Sequence, residues 1–332
     1  MSTAAEPANN QYARVAGMPR VTVVVVHHNT PDYLHSCLRR VDEALGDLAC
    51  EVVVVDNGSQ GNGRPGIRSG GRLRVISNRE NRGFAAAANQ GAFAAAGEYL
   101  LFLNSEVKLT PRSVPALLAV LERNPGLAAV APLAIGLEGR PRFPGMKFLN
   151  PWNHAASLIG LGGVAVLSRE CQAQGGHLTE VDWISASTML MRRRAFEGAC
   201  GFDEHYFFYE EDEDLCWRLA RQGHRVAVWG GTRVFDPGGV STALSGDWPV
   251  AEFYLGQLRF VRRRWGRIGL LGYRGCMAFV LLAKLLLRWV MPRRSWRKGA
   301  SMGRGQLALA LRTVIARSHV SAQPGEAARA PR

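Results

Sequence analysis

Two runs of β-branched residues constrain the fold of this chain more than any other feature. Residues 21–26 read VTVVVV, and residues 51–56 read EVVVVD. Continuous apolar runs of this kind are typical of strands that are buried on both faces of a parallel sheet. A stretch with helical periodicity, residues 32–45, separates them, so the chain is predicted to open with a β-α-β unit.

The alternation of strands and helices continues along the chain. Further strands are predicted at 73–77, 99–104 and 127–132, with helices at 84–96 and 111–123. This pattern favours an α/β fold with a mostly parallel, Rossmann-like sheet flanked by helices. Because ligands of such sheets bind at the carboxyl ends of the strands, polar residues just after each strand are the candidates for chemistry.

Residues 136–181 lose all periodicity and contain many glycines, prolines and single aromatic residues. A loop of this length inside a compact domain is usually functional or mobile. Regular structure is predicted to return with a strand at 188–191 and a short helix at 192–200. A longer helix is predicted from Glu211 to a glycine stop at Gly223.

The positive charge of the chain is concentrated in its C-terminal part. The net charge is +14, but from Arg259 onward seventeen lysines and arginines stand against one acid, Glu326. The preceding residues have 24 basic and 26 acidic side chains, and the hydrophobic content of 47% is that of a globular protein. A solvated surface explains the near-neutral part, whereas the basic tail indicates an anionic partner.

The basic tail is also apolar. Three helices are predicted in it, at 247–265, 268–291 and 300–317. The middle helix is long enough to cross a bilayer, but Arg274, Lys284 and Arg288 interrupt it, which favours an amphipathic helix in the interface over a spanning one. Flanking cations and tryptophans suit an anionic membrane surface, and the alternation of charge with apolar helices argues against a nucleic-acid partner.

Residues 1–20 have no basic n-region and no apolar h-region, so they are predicted to be a disordered lead-in rather than a secretory signal. The six cysteines show neither C-x-x-C pairing nor histidines at zinc-ligand spacing. Free thiols in a reducing compartment are therefore favoured over disulfides.

Polar residues follow the first two predicted strands. The first strand runs into HHNT, which contains Asn29, and the second into DNGS, which begins with Asp56. An aspartate followed by Asn-Gly-Ser forms a tight turn whose carboxylate and amides face the ligand crevice, where a base or ribose could bind. Asp-Asn-Gly is also an ordinary turn, so the motif alone leaves both interpretations open.

Two further groups follow the third and fourth strands. Asn81, Arg82 and Gly83 precede an alanine-rich helix whose free N-terminal amides would attract phosphate, although an ordinary capped helix has the same pattern. LFLNSEV places Asn104 and Glu106 at the end of the fourth strand. A carboxylate there could hold Mg²⁺ or Mn²⁺ against a diphosphate.

Five consecutive acids, Glu210 to Asp214, open the predicted helix at 211–223. Acids in a first turn complement the helix dipole, and helical spacing places Glu211 and Asp214 on the side of Arg218, with Asp214 and Arg218 as an i, i+4 pair. Asp212 differs, because helical spacing puts it on the apolar stripe. An inward carboxylate is costly without a partner, so Asp212 is the candidate for catalysis.

Another strand-end carboxylate, Asp236, lies in VFDPGGVST, residues 234–242. Taken alone it could be an ordinary strand exit. With Glu106 and Asp212 it supplies a third carboxylate at the same predicted edge.

These motifs, in this order, resemble glycosyltransferase family 2, the inverting enzymes of GT-A fold, and most closely its bacterial rhamnosyltransferase-like branch. The similarity covers about residues 20–265. VVVDNGS resembles the base-binding turn of the family, and NRGFAAAANQG its N-x-G-F-(A/G)-x-x-x-N-x-G element. The block from VDWISASTMLMRRRAFEGACGFDEHYFF to EEDEDLCWR is similar along its whole length to the most specific signature of the family.

The resemblance implies a role for each candidate. Asp212, in the E-D pair with Glu211, is expected to be the general base that deprotonates an acceptor hydroxyl. Asp56 is implied at the nucleobase, with Asn81 and Gly83 near the nucleotide. The other residues expected in the nucleotide site are Asn29, Arg82, Asn89 and Asn104.

Glu106 and Asp236 are the expected ligands of Mg²⁺ or Mn²⁺, and both depart from the pattern of the branch. Its usual Asn-Pro-Asp triplet is Asn-Ser-Glu here, and Asp236-Pro237 stands where the branch often carries histidine. Both replacements keep oxygen ligands, so a metal site of altered geometry is expected. A catalytically degenerate sugar-nucleotide-binding protein is the alternative.

The resemblance implies a GT-A domain at 21–246, with a nucleotide-binding half at 21–135 and an acceptor and catalytic half at 136–246. The basic region 247–332 is expected to associate with the membrane. The implied donor is a nucleoside-diphosphate sugar, with dTDP-rhamnose expected and a UDP-hexose as an alternative. The expected acceptor is a lipid-linked or cell-envelope polysaccharide at the cytoplasmic face of the cell membrane.

Overall fold

The fold is given by a computed structural model. It describes residues 18–137, 139, 141–142, 145–149, 176–238, 248–290 and 303–316. Most of the predicted lead-in and of the irregular segment 136–181 lies outside the described residues, as does the cation-rich stretch at 291–302.

Nine strands of the described residues form the central sheet. The strands of the chain are β1 (Val21–His27), β2 (Cys50–Asn57), β3 (Leu73–Asn78), β4 (Tyr99–Asn104), β5 (Leu127–Ile135), β6 (Pro141–Arg142), β7 (Gly145–Met146), β8 (Leu178–Val181), β9 (Trp183–Ile184), β10 (Thr188–Arg192) and β11 (Arg225–Phe235). The order in the sheet is β3-β2-β1-β4-β10-β5-β11-β8, with β6 paired to β5, and β7 pairs with β9 separately. The run β3-β2-β1-β4 is parallel, as the buried valine runs predicted.

Helices cover both faces of the sheet. They are α1 (Pro31–Leu45), α2 (Phe84–Phe93), α3 (Ser113–Arg123), α4 (Arg193–Gly198), α5 (Glu211–Arg221), α6 (Trp248–Val290) and α7 (Arg304–Ile315). One core cluster packs α1 and α3 against alternate residues of the strands, such as Val23 and Leu101. A second cluster packs α2, α4 and α5 against the other face, with Phe102 and Met189 at its centre. The expected mixed α/β fold is confirmed.

The predicted irregular segment 136–181 is partly regular. The short strands β6, β7 and β8 lie within it, and β8 pairs antiparallel with β11 at the edge of the sheet. A two-residue strand carries no readable period, so the sequence could not reveal the first two of these pairings.

The first two predicted C-terminal helices are the two halves of α6, and a kink at Gly266 separates them. This glycine has a left-handed backbone (φ 65°), which kinks the helix. Leu258 of the first half joins a core cluster with Tyr206, and beyond the kink Tyr273 and Met277 pack against Leu307 of α7. The C-terminal helices are therefore packed onto the α/β domain.

One helix in the described part of the chain is long and apolar enough to cross a membrane. It covers Pro249–Leu287. An 18-residue stretch of this helix has a mean hydropathy of 1.7, and only 22% of that stretch is buried. Large apolar side chains on its second half are exposed, led by Ile268 at 87% and Phe279 at 73%. Its length and composition fit both a spanning and an interfacial helix.

Candidate active site

The carboxyl ends of the parallel strands meet at one edge of the sheet, and the candidate residues lie along it. The register pairs His27 of β1 with Asp56 of β2, and Val26 of β1 with Asn104 of β4. Because β10 is antiparallel to both β4 and β5, and β11 is parallel to β5, Asp236 after β11 lies at the same edge. In doubly wound sheets the ligand crevice forms at this edge, where the strand order reverses between β1 and β4.

The turn after β2 is held to the turn after β1. Asp56 is buried, and its Oδ1 accepts a hydrogen bond of 3.2 Å from the backbone of Ser59. Ser59 Oγ accepts a bond of 2.9 Å from Asn29 N–H, and Asn29 Oδ1 accepts one of 2.9 Å from Gln60 N–H. Asn29 is exposed and has a left-handed backbone (φ 56°). The structure thus brings Asn29 and Asp56 to one pair of linked turns.

Asn57 connects these turns to the segment before α2. Its Nδ2 donates to Asn81 Oδ1 at 2.9 Å and to the carbonyl oxygen of Gly83 at 3.1 Å. Its Oδ1 accepts a bond of 3.1 Å from Arg82 N–H, and Asn81 Oδ1 also accepts one of 2.9 Å from Gly83 N–H. The predicted residues Asn81, Arg82 and Gly83 are therefore fixed beside the Asp56 turn.

Gly83 lies against the segment that leads into α5. Its backbone is left-handed (φ +84°), and a Cβ there would come within 2.4 Å of the carbonyl oxygen of Phe207. The same oxygen accepts a hydrogen bond of 2.8 Å from Phe84 N–H. One N-terminal amide of α2, predicted to be free for phosphate, is thus bound by the protein itself, and the glycine permits this close approach.

Asn89 is buried inside the domain rather than open to the crevice. Its Nδ2 donates to the carbonyl oxygen of Phe202 at 2.8 Å and to Glu204 Oε1 at 3.1 Å. Its Oδ1 accepts a bond of 2.9 Å from Phe202 N–H. These contacts use both ends of the amide to fasten the segment before α5. The structure thus places Asn89 in a positioning role, away from the predicted contact with nucleotide.

Glu106 and Asp236 are both buried at the sheet edge, with 6% and 8% of their surface exposed. A backbone bridge between Lys108 and Phe235 brings their segments together. Asp236 Oδ2 accepts a bond of 3.1 Å from Ser187 Oγ–H, and the carbonyl oxygen of Ser187 accepts one of 2.9 Å from Asn104 N–H. Ser187 therefore joins two of the predicted residues, Asn104 and Asp236.

The donor set at this edge fits a hard divalent cation. Carboxylate oxygens suit Mg²⁺ and Mn²⁺, and Mg²⁺ is usually bound by one or two carboxylates together with substrate phosphates. Among the described residues, no group of three or more histidine, cysteine, aspartate or glutamate side chains is arranged to hold a metal. Glu106 and Asp236 thus match a site whose remaining ligands would come from a bound diphosphate.

Asp212 lies in the first turn of α5 and faces the loop before β10. Its Oδ2 accepts a hydrogen bond of 3.2 Å from Ala186 N–H, and its Oδ1 accepts one of 2.9 Å from Glu213 N–H. The residue is partly buried, unlike Glu211, Glu213 and Asp214, which are buried. Burial raises the pKa of Asp212 to about 6. These hydrogen bonds and one from the Ser185 side chain stabilise the charged form and so lower the pKa, but burial has the larger effect.

The prediction that Asp212 alone of the α5 acids is turned inward is wrong. Glu211 and Asp214 are buried, with 6% and 0% of their surface exposed, and Glu213 is buried as well, whereas Asp212 is partly buried. The pair between Asp214 Oδ2 and Arg218 Nε is present at 2.8 Å, as predicted, but Arg263 of α6 also binds Asp214 Oδ1 at 2.7 Å. The first half of α6 covers the Arg218 side of α5, which helical spacing placed away from the apolar stripe.

Glu211, the other member of the E-D pair, differs from Asp212. One of its carboxyl oxygens, Oε2, is buried without a hydrogen-bond partner among the described residues. Burial and the neighbouring Asp212 carboxylate raise the pKa of Glu211 well above its usual range. A carboxyl group in this environment favours its neutral form, so the structure favours Asp212 over Glu211 as a proton acceptor.

The chain entering α5 is strained. Tyr209 and Glu210 both have left-handed backbones (φ 70° and 68°), which costs about 1–2 kcal/mol for each non-glycine residue. Helix α6 packs directly over them: a Cβ on Gly256 would lie 3.0 Å from the Tyr209 carbonyl oxygen, and the rings of Tyr209 and Phe253 are 5.7 Å apart. This packing fixes the start of the helix that carries Asp212.

Sequence reasoning missed Ser187 and Asn57 as organising residues. Each lies within a motif that was recognised, S-A-S-T and D-N-G-S, but no local pattern shows where an uncharged side chain will bond. The contact partners of Ser187 are far along the chain: Asp236 is 49 residues away. Pairing of predicted strand ends is the only signal that could have indicated them.

Sequence comparison finds relatives with stated activities. The N-acetylglucosaminyl-diphospho-decaprenol L-rhamnosyltransferase of Mycobacterium tuberculosis (strain ATCC 25618 / H37Rv) is 30% identical over 225 residues, covering 60% of this chain and 70% of the relative. The pre-mycofactocin glycosyltransferase of the same strain is 32% identical over 211 residues, covering 62% of this chain and 40% of the relative. The rhamnosyltransferase WbbL of Escherichia coli (strain K12) is 50% identical over 48 residues, covering 14% of this chain and 18% of the relative.

Solved structures share the fold. The mannosyltransferase PcManGT from Pyrobaculum calidifontis, in complex with GDP-Man and Mn²⁺, matches with a TM-score of 0.52 at 16% identity, covering 92% of this chain and 90% of that one. GalNAc-T7 with UDP, GalNAc and Mn²⁺ matches with a TM-score of 0.51 at 16% identity, covering 83% and 52%. The fold is thus of the GT-A type. The family model for glycosyl transferase family 2 matches residues 22–196, just over half of the chain; together with the 30% identical relative, this shows that the chain belongs to glycosyltransferase family 2.

Proposed function

We propose that this protein is an inverting glycosyltransferase that moves a sugar from a nucleoside-diphosphate sugar to an acceptor hydroxyl, with Asp212 as the general base. One observation carries the proposal. The carboxylate of Asp212 is bound to the backbone of the loop before β10 at the sheet edge, and its pKa is raised to about 6. Of the five acids, Glu210 and Asp212 are partly buried and the other three are buried, but Glu210 precedes the helix. A carboxylate with a pKa near neutral suits proton transfer at physiological pH.

The proposed reaction is a single displacement. The acceptor oxygen attacks the anomeric carbon while its proton passes to a carboxylate oxygen of Asp212. The bond between that carbon and the diphosphate oxygen breaks, and the electron pair leaves with the nucleoside diphosphate. Attack opposite the leaving group inverts the anomeric configuration. Asp56 and the Asn81–Gly83 turn would hold the nucleotide part of the donor at the other end of the edge.

Glu106 and Asp236 would hold a divalent cation, Mg²⁺ or Mn²⁺. Such a cation neutralises the charge that develops on a departing diphosphate. The backbone bridge between Lys108 and Phe235 brings the segments of the two buried carboxylates together, and Ser187 Oγ–H donates to Asp236. The fold neighbours crystallised with Mn²⁺ support this proposal.

The proposed donor is dTDP-rhamnose, and the proposed acceptor is a lipid-linked or cell-envelope polysaccharide. The names of two relatives support the sugar, since both are rhamnosyltransferases, and the decaprenol in one name supports a lipid-linked acceptor. The fold neighbours were solved with UDP and GDP-Man, so another donor such as a UDP-hexose is the alternative.

We place the protein at the cytoplasmic face of the cell membrane, bound to an anionic surface and without a nucleic-acid partner. The exposed apolar side chains of α6 beyond Gly266, with Arg267 among them, support an interfacial anchor. Attraction to anionic lipid is worth about 1 kcal/mol per lysine or arginine near the surface.

A donor screen tests the proposal. Purified protein is incubated with membrane lipid extract, Mg²⁺ or Mn²⁺ and a panel of dTDP-, UDP- and GDP-sugars, and released nucleoside diphosphate is measured. Release is expected with dTDP-rhamnose and to be slower with the other donors. If no sugar nucleotide in the panel is cleaved, the proposed activity is wrong.

The altered metal residues favour a second candidate, a non-catalytic sugar-nucleotide-binding protein. Its support is the Asn-Ser-Glu triplet and the lack, among the described residues, of a cluster of three metal-binding side chains. Titration of the donor, followed by a turnover assay on the same sample, separates the two. Tight metal-dependent binding with no turnover would support the binding protein.

A substitution at Glu106 tests the proposed metal site. Glu106→Gln removes one carboxylate charge, so apparent affinity for Mn²⁺ in the transfer assay is expected to fall about tenfold or more. Saturating Mn²⁺ should restore part of the rate, whereas a chelator should abolish it in both proteins. Glu197→Gln, which removes an exposed acid of α4, is the matched control and should leave the Mn²⁺ dependence unchanged.

The pKa of Asp212 predicts the acid limb of the pH profile. Its value of about 6 means that the carboxyl is protonated below pH 6 and cannot accept a proton from the acceptor. Transfer rate should therefore rise with pH through about 6 and then level off. The buried carboxyls Glu211 and Glu213 titrate beside it, so the midpoint belongs to the group rather than to one residue. A rate that is constant down to pH 4.5 would contradict the base assignment.

A further inference from the structure

A cavity lies on the side of α5 away from Asp212. It has a volume of about 300 Å³, and its lining residues are Asp203, His205, Tyr206, Arg259, Arg262 and Arg263. Asp212 and Asp214 are separated by roughly 200° around the helix. Asp214 binds the lining residue Arg263 at 2.7 Å, so the cavity lies on the Asp214 side of α5 and Asp212 does not line it.

The cavity has an excess of positive charge. Three arginines line it, against one aspartate, Asp203. Two further acids interact with these arginines. Glu252 interacts electrostatically with Arg259, and Asp214 binds Arg263 but is also paired with Arg218 at 2.8 Å. Burial lowers the pKa of Arg259, with Glu252 acting in the opposite direction, which shows that this cation is incompletely solvated.

The arginines differ in what they already bind. Arg263 Nη1 donates to Asp203 Oδ2 at 2.8 Å and to Asp214 Oδ1 at 2.7 Å, so it holds α6 to the domain. Arg262 is exposed and makes no hydrogen bond or ion pair with any residue in the described ranges. The planar N–H groups of the Arg262 guanidinium line a basic cavity, and their geometry matches the oxygens of a phosphate group.

The position of the cavity indicates where that phosphate comes from. Arg262 lies six residues before Ile268, the first residue of the exposed apolar stripe of α6, with the kink at Gly266 between them. The arginine is therefore close along the chain to the exposed apolar half of α6, and the headgroup layer of a bilayer is about 5–8 Å thick on each side of the hydrocarbon. A membrane in contact with the stripe would therefore present headgroup phosphates near Arg262.

We propose that the cavity between α6 and residues 203–206 binds the phosphate group of a membrane lipid, with Arg259 and Arg262 as its cationic ligands. The lipid source rests on the proposed membrane-face location, whereas the phosphate site rests on the cavity and its charges alone. Occupancy would fix α6 at the membrane while Arg263 keeps that helix joined to α5.

Vesicle binding of two matched variants tests the proposal. Wild type, Arg262→Ala and Arg267→Ala are sedimented with phosphatidylcholine vesicles with and without phosphatidylglycerol. Both variants lose one exposed arginine of α6, but Arg267 does not line the cavity. Arg262→Ala is expected to weaken binding to the anionic vesicles at least tenfold, because a charged hydrogen bond is lost. Arg267→Ala should weaken it about fivefold or less, by diffuse attraction alone.

Equal losses in the two variants would overturn the site. A second arm uses inorganic phosphate at matched ionic strength and records the melting temperature. Stabilisation that depends on Arg262, without a specific loss of vesicle binding, would keep the phosphate site and overturn lipid as its source. Neither arm contains donor or acceptor sugar, so an inactive protein that still bound vesicles through Arg262 would contradict only the proposed transferase activity.

Discussion

Asp212→Asn is expected to lower the transfer rate by about 10²- to 10⁴-fold, the usual contribution of a general base. The amide has nearly the shape of the carboxylate, and its single oxygen can keep the hydrogen bond from either Ala186 N–H or Glu213 N–H, whereas its NH2 group cannot accept the other. It cannot take a proton from the acceptor. Donor affinity, measured by calorimetry without acceptor, should stay within about twofold, because the proposed nucleotide contacts lie at Asp56 and Asn81.

Two control measurements accompany this prediction. Glu197→Gln changes an exposed acid of α4 and should leave both rate and donor affinity unchanged. Thermal unfolding of Asp212→Asn should match that of wild type. If the variant retained transfer within tenfold of wild type, another residue would have to be the base; if it failed to fold, Asp212 would be a structural residue.

Arg218→Met is expected to have the largest effect on stability, lowering the free energy of unfolding by about 3 kcal/mol. Asp214 is fully buried, and Arg218 Nε binds it at 2.8 Å while its guanidinium also donates to the carbonyl oxygen of Ala199. Methionine keeps much of the packing volume but removes the charge. Asp214 would then be left with Arg263 and a long hydrogen bond of 3.4 Å from Tyr206.

The matched control is Arg225→Met, which removes an ion pair with Glu180 in which both side chains are more than half exposed. An exposed pair contributes less than about 1 kcal/mol, so urea unfolding should show little change. A similar small change for Arg218→Met would mean that Arg263 alone satisfies Asp214. That result would remove the argument that α5 depends on this ion pair.

The strands could be predicted from sequence because their signal is local. The valine runs of β1 and β2 are apolar on both faces, and each ends in a polar turn, so the edge carrying Asp56 and Asn104 followed from the pattern. The sequence also indicated the Asp214–Arg218 pair, since its members are one helical turn apart.

Burial of the α5 acids could not be predicted in the same way. Asp214 meets Arg263, 49 residues later, and Glu213 accepts a hydrogen bond from Leu149 N–H, 64 residues earlier. Helical spacing shows which residues share a face, but not which later helix will cover it. The bonds of Asn89 could not be predicted either, because its partner Phe202 is 113 residues away and the family resemblance placed this asparagine in the nucleotide site.

Sugar transfer to an acceptor by direct displacement can be measured by following labelled sugar. The protein is incubated with dTDP-rhamnose labelled in the sugar and with membrane lipid extract, and the label in the lipid phase is compared with the dTDP formed. One sugar should be transferred for each dTDP formed by wild type, and almost none by Asp212→Asn. Release of dTDP with the label left as free sugar in water would contradict transfer by direct displacement.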